Sequence, residues 1–127
     1  MKKTLLVLAL VLCFSGLGFS QTLVNSNSVL VWDANTDDTT EYLVYYSQTS
    51  GSYNYETPVG TVTHPAVEYT ISAGNPTEGQ TYYAVVRARD AAGNTSASSS
   101  EVSFTFDGTA PATPGNMRIE IRIVIQP

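Results

Sequence analysis

Few residues of this chain could take part in catalysis or bind a metal: it contains one histidine, eleven carboxylates and a single cysteine at position 13. His64 stands before Pro65 between two strand-like segments. A hydrolytic triad needs a nucleophile and an acid placed around its histidine, and the sequence has no Gly-x-Ser-x-Gly turn. It also has no Walker loop and no Gly-x-Gly-x-x-Gly. We therefore predict that the chain is not an enzyme, binds no cofactor, and carries His64 in a solvated loop.

One loop has oxygen ligands at alternating positions, Asp33, Asn35 and Asp37. Hard cations such as calcium take several oxygen ligands in this way. Asp38 occupies the sixth position, where such a loop needs glycine, and the apolar Val44 occupies the twelfth. A turn rich in Asp and Asn for its own hydrogen bonds is the favoured interpretation. Calcium binding stays open as the alternative, and no metal site is predicted.

A second kind of function, contact with a partner, is indicated by bulky residues at outward-facing strand positions. Leu43 and Tyr45 fall on one predicted strand, and Tyr83 and Val85 fall on a neighbouring one, with Arg87 two places further. Such an exposed stripe stacks on sugar rings or packs against proteins. The favoured interpretation is, however, that these residues are cross-strand pairs that brace an ordinary sheet face, and the partner surface is the alternative.

The elements that must position these residues are strands, because apolar residues recur with period 2 and not with period 3.6. Short strands separated by turn residues predict an all-β sandwich. The predicted strands cover residues 28–32, 41–47, 53–63 with a break at Pro58, 67–72, 81–89 and 101–106, with a weak first strand at Leu23 and Val24. The predicted core, centred on Trp32, is Leu30, Trp32, Tyr42, Val44, Tyr46, Tyr69, Ile71, Tyr82, Ala84, Val86, Val102 and Phe104.

The first 20 residues have the pattern of a signal peptide. Lys2 and Lys3 precede an apolar run, and Gly18 and Ser20 are small residues before a cut at Gln21. The apolar run is shorter than the about 20 residues that a membrane span needs. We therefore predict a protein that is secreted or at the cell surface, with no membrane insertion after cleavage.

The predicted mature chain, from residue 21, is acidic and has no cysteine. Four arginines stand against eleven carboxylates, which gives a net charge of −7. This balance disfavours binding to nucleic acid and to anionic membranes. Without cysteine the domain forms no disulfide and depends on its core.

After the predicted sandwich domain (21–106) the composition changes. Residues 107–116 contain Pro111 and Pro114 among small residues, which predicts an extended linker. Residues 117–127 alternate again and predict an extra C-terminal strand. An unpaired strand of this kind is an aggregation hazard, so we predict that it pairs with its own sandwich or with another chain, the alternative being the opening strand of a further module. Its apolar face consists of Ile119, Ile121, Ile123 and Ile125, and its polar face of Arg118, Glu120 and Arg122.

Five pieces of the sequence form a recognisable set in this order: VLVWDAN (29–35), YLVYY (42–46), GQTYYAVVRA (79–88), DAAGNTS (90–96) and EV (101–102). With these pieces the chain resembles bacterial or phage fibronectin type III modules, from about residue 29 to 116. The resemblance implies a seven-stranded antiparallel immunoglobulin-like sandwich without catalytic activity, in which Trp32 packs between the sheets and the Tyr82 hydroxyl bonds to backbone at a corner. Two features depart from the family: Pro76 stands where a leucine is usual, and residues 21–27 offer only a weak form of the proline-rich entry that normally precedes the first strand. Arg89-Asp90 is followed by Ala91, so no Arg-Gly-Asp motif is present.

These observations together predict a non-catalytic extracellular module for adhesion, spacing, or surface and carbohydrate contact. The expected partner is a protein or a polysaccharide at a cell surface. The alternative is a structural subunit that self-associates, with its C-terminal strand added to the sheet of a neighbour.

Overall fold

The computed structural model describes residues 22–125, and these form an all-β domain. The predicted signal peptide, residues 1–20, lies outside this range. A short 3₁₀ turn, Ile71–Gly74, joins two of the strands. The strands are β1 (Leu23–Val24), β2 (Val29–Val31), β3 (Thr39–Ser47), β4 (Gly60–Thr63), β5 (Glu68–Thr70), β6 (Thr81–Asp90) and β7 (Val102–Phe106).

The strands form a five-stranded sheet, in the order β1-β7-β6-β3-β4, and a small sheet of β2 and β5. The pairing of β3 with β6 is the longest and extends from Thr39 opposite Asp90 to Ser47 opposite Tyr83. All pairs are antiparallel except β1 with β7, which is parallel. The prediction of a wholly antiparallel fold is therefore wrong at this edge. The reason is that β1 and β7 are far apart in sequence, so no hairpin forces them to run in opposite directions.

The five-stranded sheet is covered on both faces, and this gives the domain two apolar clusters. Between the sheets, Ile71, Ala84, Phe104 and Phe106 are buried, with Leu30, Tyr46 and Tyr82 among the residues packed against them. On the outer face, Leu43, Tyr45 and Val85 are buried together, with Tyr53 packed against them. Four consecutive residues of β3, 42 to 45, are therefore buried, because neither side of the strand faces water.

The centre of the core differs from the prediction. Tyr42, Val44 and Tyr45 are the largest fully buried side chains, whereas Trp32 is half-buried and Val102 is 50% exposed. The small sheet has two strands, and Trp32 comes directly after β2 at the free edge of that sheet. Trp32 is therefore only partly covered, and its ring makes an edge-to-face contact with the Tyr42 ring, with centroids 5.3 Å apart. Val102 faces the same unfilled space.

The corner before β6 has the hydroxyl-to-backbone bond that the family resemblance implied. The backbone N–H of Thr77 donates to the Tyr82 hydroxyl at 2.8 Å. Nearby, the Tyr46 hydroxyl donates to the carbonyl of Ile71 at 3.0 Å. These two bonds connect the chain around the 3₁₀ turn to the five-stranded sheet.

The C-terminal segment, residues 117–125, joins neither sheet of its own molecule. The extra C-terminal strand that the sequence predicts is therefore not formed within the described residues, and of its two predicted pairings the one with its own sandwich is not made. The edge of β7 that could have received it is taken by β1, where Thr105 and Asp107 donate backbone N–H bonds to the carbonyls of Thr22 and Val24 at 2.8 Å.

Candidate functional site

The stripe predicted as a partner surface is buried. Leu43, Tyr45 and Val85 are 4%, 1% and 6% exposed, and Tyr83 is half-buried. The connection between β3 and β4, residues 48–59, lies over this face of the sheet. The prediction of an exposed stripe at these four residues is therefore wrong, because a loop supplies the cover that a second sheet supplies on the other face.

Two tyrosines of the covering loop make the contacts that bury the stripe. Tyr53 packs against the buried cluster, and the Tyr55 ring lies edge-on to the Tyr45 ring with centroids 5.1 Å apart. The Tyr45 hydroxyl donates to the carbonyl of Tyr55 at 3.3 Å. The sequence signal for this cover is the pair of tyrosines among mostly small and polar residues, in a stretch that was predicted to be a strand.

Glu101, next to β7, holds the start of this loop. Its carboxylate accepts hydrogen bonds from the Ser50 hydroxyl at 2.5 Å, the Gly51 backbone N–H at 2.8 Å and the Tyr53 hydroxyl at 2.5 Å. Gly51 has a φ of 75°, which glycine adopts without steric cost. The bonds from Ser50, Tyr53 and Gly51 hold the pKa of Glu101 below its usual 4.5. Burial, followed by the bond to Glu101, raises the pKa of Tyr53.

The aromatic side chain that this face presents to solvent is Tyr55, which is 40% exposed. The Arg87 guanidinium lies over its ring, 4.6 Å from the centroid, and the Arg87 Nε donates to the carbonyl of Ser96 at 2.7 Å. The Tyr53 ring lies beside the Tyr55 ring, with centroids 5.9 Å apart. The surface predicted at Tyr45 and Tyr83 is therefore replaced by a smaller one at Tyr55.

His64 and the Asp/Asn loop lie together, but their contacts are structural. The half-buried His64 ring lies 5.9 Å from the Tyr42 ring, and its Nε2 is 3.1 Å from the carbonyl oxygen of Asn35. His64 lies in a turn, as predicted, but its ring is half-buried and not free in water. The Asp37 carboxylate accepts bonds from the Thr39 hydroxyl at 2.5 Å and the Thr39 N–H at 3.1 Å, and these contacts lower its pKa. Within residues 22–125, no three His, Cys, Asp or Glu side chains are grouped so that they could hold a metal ion.

An open groove of about 790 Å³ runs beside β2, between the small sheet and the strands β6 and β7. It exists because no strand of the described chain pairs with the outer edge of β2. The floor of the groove is therefore the inner face of the sandwich itself. Its apolar lining includes Val24, Leu30, Trp32, Val44, Ala84, Val86, Val102 and Phe104.

The free edge of β2 presents backbone groups to this groove. Ile71 N–H bonds to the Ser28 carbonyl and Trp32 N–H to the Val67 carbonyl, so alternate residues of β2 are bonded to β5. In an antiparallel pair the residues between these bonded positions turn their N–H and C=O groups the other way. Val29 and Val31 therefore direct their backbone groups to the free edge.

The second exposed feature is the C-terminal apolar segment, residues 117–125. Arg118 and Arg122 both contact the Glu120 carboxylate, at 3.5 and 3.2 Å. Contacts between every second residue fit an extended chain, in which these three side chains lie on one side. The other side carries Ile119, Ile121, Ile123 and Ile125, which are 92%, 86%, 83% and 88% exposed.

Comparisons with known proteins give no family. No family model matches the chain, and no curated protein matches it. The spore cortex lytic enzyme SleM of Clostridium perfringens is similar in structure, with 18% identity and a TM-score of 0.45, over 67% of this chain and 28% of SleM. A β-1,2-glucanase from Parabacteroides distasonis has 23% identity and a TM-score of 0.49, over 74% of this chain and 14% of that enzyme.

The chain thus spans less than a third of the length of either enzyme. Both TM-scores are below 0.5, so we infer no activity of this chain from these two enzymes. No helix within the described residues is long and apolar enough to cross a membrane.

Proposed function

We propose that this chain is a non-catalytic, exported β-sandwich module of the fibronectin type III kind that works by contact, and that its main contact is with copies of itself. The succession of seven strands and the Tyr82 corner support the family assignment. The acidic mature chain and the predicted signal peptide support a place outside the cell or at its surface. The observation that carries the contact function is the exposed isoleucine face of residues 117–125.

An apolar face of this kind favours association. Burial of one isoleucine side chain is worth about 1.5–3 kcal/mol, and four of them are 83–92% exposed in the separate molecule. The apolar face is continuous, because every second side chain of an extended segment points to the same side. Monomeric proteins rarely leave such a surface in water, and a large exposed apolar patch marks an interaction site.

The test is the molar mass of the mature chain, residues 21–127, by size-exclusion chromatography with light scattering over a wide range of concentration. We expect assemblies that grow with concentration, and we expect Ile121→Asp to abolish them. Val124→Asp is the matched control, because it adds the same charge on the polar face of the same segment. A wild-type chain that stays monomeric throughout, or an Ile121→Asp chain that assembles like wild type, refutes the proposal.

Contact with a cell-surface polysaccharide is the second candidate, and the Tyr55 surface favours it. An exposed tyrosine ring with a neighbouring arginine offers a stacking face and hydrogen-bond donors to a sugar. We expect Tyr55→Ala to lose retention on insoluble cell-wall polysaccharide, whereas Val31→Ala, another exposed position, keeps it. Absence of retention for the wild-type chain removes this candidate.

A further inference from the structure

We propose that the groove beside β2 is an acceptor site for residues 117–125 of a second copy of this chain. The segment enters as a strand that pairs with the free edge of β2, and its isoleucines fill the space between the two sheets. This inference rests on the proposed self-association and adds to it where the C-terminal segment binds and how the copies are arranged.

The backbone of the acceptor is prepared for a strand. Val29 and Val31 direct their N–H and C=O groups away from β5, to the edge where no described strand pairs. An open edge of this kind is a template for a strand from another chain. Their side chains, 40% and 69% exposed, point to the outer side of the small sheet, whereas Leu30 packs inward. A strand added here therefore continues an existing inward and outward alternation.

The side chains of the groove and the segment are complementary. The groove exposes the core itself, including Leu30, Trp32 and Val102, and Val102 is 50% exposed at a position where a sandwich residue is normally covered. Successive side chains of a strand point to opposite faces, so a bound segment directs its four isoleucines into the groove. Arg118, Glu120 and Arg122 then remain in water, where they already pair with each other.

The charges also favour this pairing. Residues 117–127 contain two arginines and one glutamate, a net charge of +1. Residues 21–116 contain two arginines and ten carboxylates, a net charge of −8. The segment is therefore the cationic part of an otherwise acidic molecule, and its own sandwich and those of its neighbours attract it.

The path of the linker makes a second copy the donor. The linker leaves β7 alongside β1, where Asp107 N–H bonds to the Val24 carbonyl at 2.8 Å and Gly108 N–H bonds to the Glu78 carboxylate at 2.9 Å. Residues 107–111 then line a shallow pocket together with residues 23–27, at the turn between β1 and β2. Entry into its own groove would require the chain to reverse within the segment that holds Pro111 and Pro114, whereas proline-containing linkers favour an extended path.

The donor and the acceptor are different surfaces of the same molecule. Such a contact is heterologous, and it gives open chains of copies unless the rotation between them closes a ring. Each copy then receives one segment and donates one. The sandwich of every copy except the first or last is completed by its neighbour.

The experiment uses the full mature chain in two variants that each disable one side of the contact. The donor variant is Ile121→Asp, which places a charge in the groove. The acceptor variant is Val31→Pro, which removes an N–H at the free edge and leaves the bonds to β5 intact. Val31→Ala is its matched control, since it keeps the N–H. If Val31→Pro does not fold, as judged by circular dichroism, Val102→Glu replaces it and charges the groove lining.

We expect each disabled variant to be monomeric alone, and their equimolar mixture to form a dimer with one molecule of each. In that mixture the Trp32 emission should shift to shorter wavelength, because the only tryptophan of the chain lines the groove and becomes covered. Val31→Ala should assemble like wild type.

Other outcomes refute the inference and are distinguishable from each other. If the acceptor variants assemble like wild type while Ile121→Asp does not, self-association stands but the groove is not its site. A mixture that stays monomeric likewise excludes the groove as the acceptor. A monomeric wild-type chain whose Trp32 emission changes on Ile121→Asp shows that the segment occupies its own groove, and this refutes both the inference and the proposed self-association.

Discussion

A single carboxylate, Glu101, ties the covering loop to the five-stranded sheet. It accepts three hydrogen bonds, from Ser50, Gly51 and Tyr53, and its pKa in the folded state lies below the usual 4.5. A carboxylate whose folded pKa is lowered contributes stability above its unfolded pKa and loses it as the pH falls through the folded value.

We therefore expect Glu101→Gln to lower the melting temperature at neutral pH, and the difference from wild type to shrink as the pH falls below about 4.5. Thermal melts by circular dichroism across this range measure it. Glu56→Gln, in the same loop, is the control and should leave the melting temperature at neutral pH close to that of wild type. A difference that is independent of pH would contradict the role assigned to the Glu101 charge.

The burial of Tyr45 gives a second prediction at this scale. Its ring is 1% exposed, against 40% for Tyr55. Truncation of a buried aromatic residue costs about 3–5 kcal/mol, so we expect Tyr45→Ala to lose that much free energy of unfolding in urea denaturation. Tyr55→Ala should lose about 1 kcal/mol. Equal and small losses would mean that the loop does not cover this face in solution.

At the scale of elements, the small sheet touches the edge strand β4 through a close approach of Tyr69 to Gly60. A Cβ at position 60 would fall on the Tyr69 ring. That ring has little freedom to move, because its hydroxyl donates to the Val59 carbonyl at 3.0 Å and it makes a T-shaped contact with the Tyr46 ring, with centroids 6.5 Å apart.

Gly60→Ala should therefore reduce the free energy of unfolding by about 1–3 kcal/mol, as overpacking does elsewhere. Gly115→Ala is the matched control, since a Cβ there meets nothing within 4 Å, and it should change stability by less than about 0.5 kcal/mol. Chemical denaturation of both variants measures the difference. A neutral Gly60→Ala would show that β4 and β5 separate more easily than described.

The corner between β5 and β6 depends on the Tyr82 hydroxyl, which accepts the Thr77 N–H at 2.8 Å. We expect Tyr82→Phe to cost about 1 kcal/mol, the typical worth of one such bond. Tyr83→Phe, the next residue on the other face of β6, should cost less than about 0.5 kcal/mol. Urea titrations compare the two variants. Equal costs would mean that the bond to the Tyr82 hydroxyl does not stabilise the corner.

For the whole molecule, strand donation connects stability to concentration. A neighbour that binds the folded state and not the unfolded state raises the apparent melting temperature as concentration rises. We expect this rise for the wild-type chain. A chain that ends at residue 116 should have the same melting temperature at all concentrations. This temperature should be close to that of wild-type protein at low concentration, because residues 117–125 belong to neither sheet of their own molecule. A deletion that lowers the melting temperature of dilute protein would contradict this.

The all-β class and most of the strand positions follow from the sequence alone. Period-2 alternation and turn residues are local signals, so each can be recognised without knowledge of the rest of the chain. The 81–89 prediction lies within β6, Thr81–Asp90, and the weak strand at Leu23 and Val24 is β1. The alternation of the C-terminal segment is local as well, and its isoleucines do share one side.

The tertiary structure decided which faces are covered. Alternation says that Leu43 and Tyr45 share a face, but it does not say what lies over that face, and a loop twelve residues long buried it. Trp32 and Val102 show the opposite case. They were predicted to be in the core, but they line the groove beside the free edge of β2 and are only partly covered. Burial depends on contacts between residues distant in sequence, and a period within one strand carries no information about them. The groove beside β2, which is the candidate site, therefore follows from the tertiary structure and not from the sequence pattern.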